Sequence, residues 1–166
     1  MTFRTKVIAL GSAAAALLVV FALGEVFSPQ RMSRAGAEAL LLPAFPAKAA
    51  VRIELSSGPS RVVITRGTGW TLDVNGSPYP AVGNKVGFLL DALASLARGA
   101  LVTRNPERAS DLGLTGDQAV RLVVSDSKGG VLADLTAGKT GATGRGRYLR
   151  VGSSADVFET GEALSP

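Results

Sequence analysis

The chain contains no cysteine and no histidine. Without cysteine there is no disulfide framework and no thiolate to act as nucleophile or metal ligand. Without histidine the usual general base, proton shuttle and transition-metal ligand are missing. Aromatic residues are also scarce, at 5%, and excess charge is modest. The formal net charge is +5, of which Arg4 and Lys6 supply two, leaving +3 on residues 25–166. That surplus is too small to argue for nucleic acid as a partner.

Charge is absent altogether from residues 7–24. As a helix this run spans roughly 27 Å at about 1.5 Å per residue, enough for a hydrocarbon core. It has no polar face, which argues against a helix buried in a soluble domain. A cleaved signal peptide is the competing reading, and Ala22-Leu23-Gly24 fits a small-x-small cleavage site. The length favours a retained single-pass anchor. Arg4 and Lys6 hold the N-terminus in the cytoplasm, so either reading delivers the rest of the chain to the extracytoplasmic side. The main domain is therefore expected on the far side of the cytoplasmic membrane, with the N-terminus in the cytoplasm.

Beyond the anchor (1–24), residues 25–50 read as a juxtamembrane linker, with a short helix over 35–42 stopped by Pro43 and Pro46. The domain proper is expected over 51–166. From Val51 the apolar period becomes two: Val51, Ile53 and Leu55 alternate with Arg52, Glu54 and Ser56. Turn chemistry at 57–60 leads to a strand over 61–66. Gly67-Thr68-Gly69 leads to another, with Trp70, Leu72 and Val74 on one face, closed by Asn75-Gly76. Val82, Val86, Leu89, Leu90, Leu93, Leu96 and Ala97 then form one helical stripe, with Pro80 in the first turn and Gly99 at the end.

A short strand over 100–103 follows, then a short helix opening at Asn105-Pro106-Glu107, with Asn105 as its cap and Gly113 as its stop. A second meander runs over 120–125, 131–137 and 147–151, with a last strand near Val157. The openings of the two meanders, 51–56 and 120–125, resemble each other, and strand patterns converge easily enough for chance to account for it. The fold expected is α+β: antiparallel meanders packed on one main helix, behind an N-terminal transmembrane helix.

No constellation announces a reaction, and no catalytic, cofactor or metal residue is assigned. Gly138-Lys139-Thr140 looks like the end of a phosphate-binding loop, but the motif needs a glycine where Ala133 stands, and a helix afterwards. Ser110-Asp111 and Ser125-Asp126 sit at a helix end and a turn, where backbone capping explains them. A Ser-Lys dyad needs a buried lysine, whereas Lys85, Lys128 and Lys139 all read as exposed. Trp70 and Tyr79 read as packing residues. Asn75-Gly76-Ser77 is first a hairpin turn and only then a glycosylation triplet. Arg145, Arg147 and Arg150 form the densest basic stretch. In a strand Arg145 and Arg147 share a face and Arg150 takes the other. Arg145 and Arg147 are therefore the candidate contacts for an anionic ligand, against the plainer reading of a solvated strand edge.

The order of features resembles a family of bacterial membrane-anchored proteins known as a domain of unknown function, DUF4340. The resemblance rests on the anchor, Leu41-Leu42-Pro43, Gly69-Trp70-Thr71-Leu72, Tyr79-Pro80 and Leu112-Gly113-Leu114. Asp126 with Gly129, Gly138, Tyr148-Leu149-Arg150 and Val157-Phe158 complete it. It implies an extracytoplasmic accessory domain often found near gliding-motility-type ABC transporter components. It also implies a longer protein, of which this sequence looks like the first half or a short form. The expected function is a non-enzymatic accessory or interaction subunit of the cell envelope, with an ABC transporter permease or another envelope protein as partner. A module binding an anionic headgroup or polymer comes second and a Ser/Lys hydrolase third.

Overall fold

The computed structural model describes residues 40–74, 76–142, 144 and 146–160. The uncharged run at 7–24 and the start of the predicted 35–42 helix lie outside them. Strands β1 (Arg52–Ser57), β2 (Ser60–Arg66), β3 (Trp70–Val74) and β4 (Ser77–Pro80) form the first meander. Helix α1 (Gly83–Ala94) and strand β5 (Ala100–Thr103) follow. The second meander comprises β6 (Val120–Ser125), β7 (Val131–Thr140), β8 (Arg147–Val151) and β9 (Val157–Glu159). All nine strands form one sheet in the order β4-β3-β2-β1-β6-β7-β8-β9-β5, antiparallel throughout.

Two-residue alternation decides which side chains go inside. Ile53, Leu55, Val62, Ile64, Val74, Leu122, Val124, Ala133, Leu135, Ala137 and Leu149 share one face and are buried. Against them lies α1, through Val86, Leu90 and Leu93. A helical stripe over an apolar sheet face is the packing that removes both from water. Leu93 is fully buried. A smaller cluster occupies part of the opposite face, where the connection between β5 and β6 crosses the sheet. Ala109, Leu112 and Leu114 pack there with Val157, Val102 and Tyr148.

The two meanders meet through β1 and β6, in the register Ile53↔Val124, Glu54↔Val123 and Leu55↔Leu122. The two segments that resemble each other in sequence are thus direct neighbours at the middle of the sheet. Asn105 caps the 3-10 turn Pro106–Ala109 as expected, accepting from the Glu107 amide. The 3-10 turn ends at Ala109 with Ser110 as its C-cap, and Gly113, at φ 70, closes the turn that follows.

The helix is shorter than its apolar stripe. Pro80 ends β4, opposite Thr71, rather than opening α1, and Val82 is 58% exposed. At the other end the Ser95 hydroxyl and amide both donate to the Asp91 carbonyl and close the helix. Leu96 and Ala97 then serve the incoming chain instead: the Leu41 amide donates to Leu96 O, and Leu40 bridges Ala97. Residues 40–42 are accordingly not helical, because their backbone groups are spent on that contact. Leu41, Leu42 and Ala50, which fall in the sequence-defined linker, are buried in the main core.

The sheet's two rims differ. The Ala81 amide donates to Trp70 O, so alternate amides from Ser77 and Tyr79 also point to β3. Pro78 and Pro80 therefore fall on the free side of β4, where they offer no donors. The other rim, β5, reads Ala-Leu-Val-Thr, with Leu101 43% exposed.

Candidate anion-binding face

Away from the smaller cluster, the sheet face opposite α1 is largely polar, because most residues alternating with the core positions there are. Cross-strand register aligns them in rows. One row runs Arg61–Ser56–Arg121–Thr136–Arg150 across β2, β1, β6, β7 and β8. Beside it runs Asp73–Val63–Glu54–Val123–Asp134. Arginines two strands apart in the first row are separated by roughly 10 Å, at about 4.8 Å per strand.

Diagonal pairs tie the rows together. Arg61 Nη2 reaches Glu54 Oε2 at 2.8 Å, and Arg52 Nη2 reaches the same oxygen at 3.4 Å. Arg121 grips Asp134 with both ends of its fork, Nε to Oδ1 at 2.9 Å and Nη2 to Oδ2 at 2.7 Å. The hydrogen bond from Arg121 holds the Asp134 carboxyl below the usual aspartate range against a smaller opposing effect of burial, with the charges of Arg121 and Arg150 assisting. The hydrogen bond from Arg61 does the same for Glu54, again against burial.

Among the described residues Arg150 has no such ion pair, although Glu159, opposite Tyr148, lies on the same face. Beyond Asp134 the acidic row reaches Gly152, whose amide donates to the Asp134 carbonyl, so the row supplies no further carboxylate. The cross-strand neighbours of Arg150 are Thr136 and Val157, both buried. Its Nε is buried with no hydrogen-bond partner among the described residues.

Of the two arginines singled out from the sequence, Arg145 lies outside the described residues. Arg147 sits on the helix-side face, and its guanidinium turns to the β7 backbone, Nη1 to Gly138 O at 3.4 Å. Its amide donates to Thr160 Oγ1 at 2.7 Å. Arg150 does take the opposite face, as alternation predicts. The partners of Arg150 in the row, Arg61 and Arg121, escaped sequence reasoning because register is invisible in one strand. The available signal was the likeness of 51–56 to 120–125, which aligns Arg52 with Arg121 and marks the paired central strands.

The remaining sequence candidates resolve simply. Gly138, Lys139 and Thr140 belong to β7 and precede no helix, so they form no phosphate loop. Lys139 Nζ donates to Asp111 O at 3.2 Å. Lys85, Lys128 and Lys139 are exposed. Asp126 Oδ1 accepts from the Lys128 and Gly130 amides and organises its turn. Among the described residues no group of histidine, cysteine and acidic side chains is placed to hold a metal ion, and no helix is long and apolar enough to cross a membrane.

Residues 70–166 match the sequence model of a domain of unknown function, DUF4340. An uncharacterized protein of Treponema pallidum (strain Nichols) is 29% identical over 97 residues, covering 58% of this chain and 31% of that protein. The chain thus spans about a third of the length of this curated relative. No solved structure matches it.

Proposed function

Since the chain belongs to the DUF4340 family, we propose that it is a non-enzymatic accessory domain of the bacterial envelope, tethered outside the inner membrane and serving an ABC-type transport system. The uncharged run at 7–24, flanked by Arg4 and Lys6, carries this reading. Residues 25–39 separate that run from the first described residue, Leu40. Fifteen residues extend at most about 50 Å, so the sheet stays within reach of proteins embedded in the same bilayer. The transporter is what the family resemblance implies.

Topology and partnership are tested separately. The cysteine-free chain allows a single reporter thiol at Lys128→Cys, in the exposed β6–β7 turn. A membrane-impermeant maleimide is expected to label it in spheroplasts before lysis, and labelling only after lysis sinks the extracytoplasmic placement. For partnership, a C-terminally tagged full-length chain is solubilised gently from native membranes. Stoichiometric recovery of permease or ATPase subunits is the expected result. Recovery of the chain alone, repeated after crosslinking, removes the stable-complex reading.

A further inference from the structure

We propose that the α1 side of the domain lies against an anionic lipid bilayer, with Phe88 at headgroup level and Lys48, Arg66, Lys85 and Arg98 around it. This rests on the anchored reading above and gives the tethered domain an orientation.

Charge is distributed unequally between the two sides of the sheet. On the polar face the four arginines described above stand with four carboxylates, Glu54, Asp73, Asp134 and Glu159. Lys139 is joined there to Asp111 of the crossing segment. The α1 side differs. Among its described residues the exposed cations Lys48, Arg66, Lys85 and Arg98 meet a single exposed carboxylate, Asp91. Arg66 follows the inward alternation of Val62 and Ile64 and places Nη1 3.5 Å from the Lys48 carbonyl oxygen, beside α1. Arg98 leaves the end of α1 and stacks over Phe158, 5.6 Å from its ring centroid. Lys85 and Arg98 thus mark the two ends of a helix about 18 Å long, at about 1.5 Å per residue. Cations spread over that length suit an extended anionic surface better than one small anion.

Helix α1 also carries an apolar side chain that the core does not use. Val86, Leu90 and Leu93 are buried towards the sheet. Phe88 is rotated about 200° from Val86, at about 100° per residue, and is 55% exposed. One exposed ring is ordinary on any surface, but this one stands between Lys85 and Arg98 along α1. A ring flanked by basic side chains is what an interfacial segment presents to lipid, ring towards the acyl boundary and cations towards the phosphates. The chain also arrives on this side. Leu40 bridges Ala97 just beyond α1, and the Leu41 amide donates to Leu96 O. Residues 25–39 therefore connect the uncharged run to the α1 side of the domain, not to the polar face.

The cysteine-free chain permits one spin label per molecule. Asn84→Cys places it at the exposed start of α1, one turn before Phe88, and Ser110→Cys on the segment crossing the opposite face. Full chains with either label are reconstituted in nanodiscs of phosphatidylcholine with or without phosphatidylglycerol. Electron paramagnetic resonance then reads accessibility to oxygen, which concentrates in lipid, and to a water-borne nickel chelate. With phosphatidylglycerol the Asn84 label is expected to gain oxygen and lose nickel accessibility, while the Ser110 label stays water-like. The Asn84 shift should disappear in pure phosphatidylcholine, in about 1 M salt, and in the double variant Lys85→Gln with Arg98→Gln. Equal shifts at both positions, or a shift indifferent to lipid charge, overturn the docking. Nickel shielding without oxygen gain indicates a protein contact and overturns it as well. Should the double variant fold poorly, the two lipid compositions and the salt series still decide. Failure of the chain to co-migrate with nanodiscs sinks the anchored reading and this orientation with it. Co-migration with a water-like Asn84 label sinks the orientation alone.

Discussion

Arg121 and Asp134 stand on neighbouring strands, close enough for two hydrogen bonds at once. Their bond has a pH signature. A carboxylate whose folded pKa is lowered stabilises the fold above its ordinary pKa, and that contribution drains away as pH falls through the lower folded value. Asp134 and Glu54 both behave this way. Arg121→Gln should therefore lower stability at pH 7 by about 0.5–1 kcal/mol, the scale of an exposed pair. Its thermal midpoint should converge on that of the parent as pH falls below the ordinary carboxylate range. Melting curves from pH 7 to pH 2 check this, and a deficit constant across the series contradicts it. At this scale the sequence was legible in part. Alternation placed Arg52, Glu54 and Arg150 on their faces, but pairing depends on which residue stands beside which across a gap of many positions. No local pattern encodes that.

Among the elements, β7 shows how a glycine admits a crossing segment. A Cβ on Gly138 would lie 2.2 Å from the Leu112 carbonyl oxygen, which already accepts from the Lys139 amide at 2.9 Å. Gly138→Ala should push the 109–114 segment off the sheet and cost about 1–3 kcal/mol. Gly87, inside α1, meets nothing within 4 Å of an added Cβ. Gly87→Ala should stabilise by about 0.5–1 kcal/mol through helix propensity. Urea midpoints moving in opposite directions at constant m check both. Period and turn chemistry made β1, β2, β3, β6, β8 and β9, the Asn105 cap and the Gly113 turn readable. Strand β4 was not readable, because Ser-Pro-Tyr-Pro has no apolar alternation and two prolines. It forms only because it is a rim strand whose proline positions face away from β3. The extent of α1 was misjudged because Leu96 and Ala97 are apolar for another reason, the contact with Leu40 and Leu41.

The described residues build one sheet from two meanders, and their core reaches upstream of the first strand. Leu41 and Leu42 are 6% and 8% exposed. In the full chain, Leu41→Ala and Leu42→Ala should each cost about 2–5 kcal/mol. Substitutions in a solvated linker stay within about 0.5 kcal/mol, so a thermal midpoint unmoved by either contradicts their place in the core. The joining of the meanders through β1 and β6 is a long-range event that composition and periodicity do not specify, whereas the antiparallel character followed from the short turns. The unequal rims have a consequence for self-association. Copies of a sheet polymerise when one rim of each accepts the opposite rim of the next, and that head-to-tail stacking continues without limit. Here the β4 rim has lost the donors at Pro78 and Pro80, so β5 of one copy finds no full ladder on β4 of another. Among the described strands, this leaves β5 with β5 as the favoured edge pairing, a two-fold contact that closes on itself. The domain can sit at high local density without seeding a fibre.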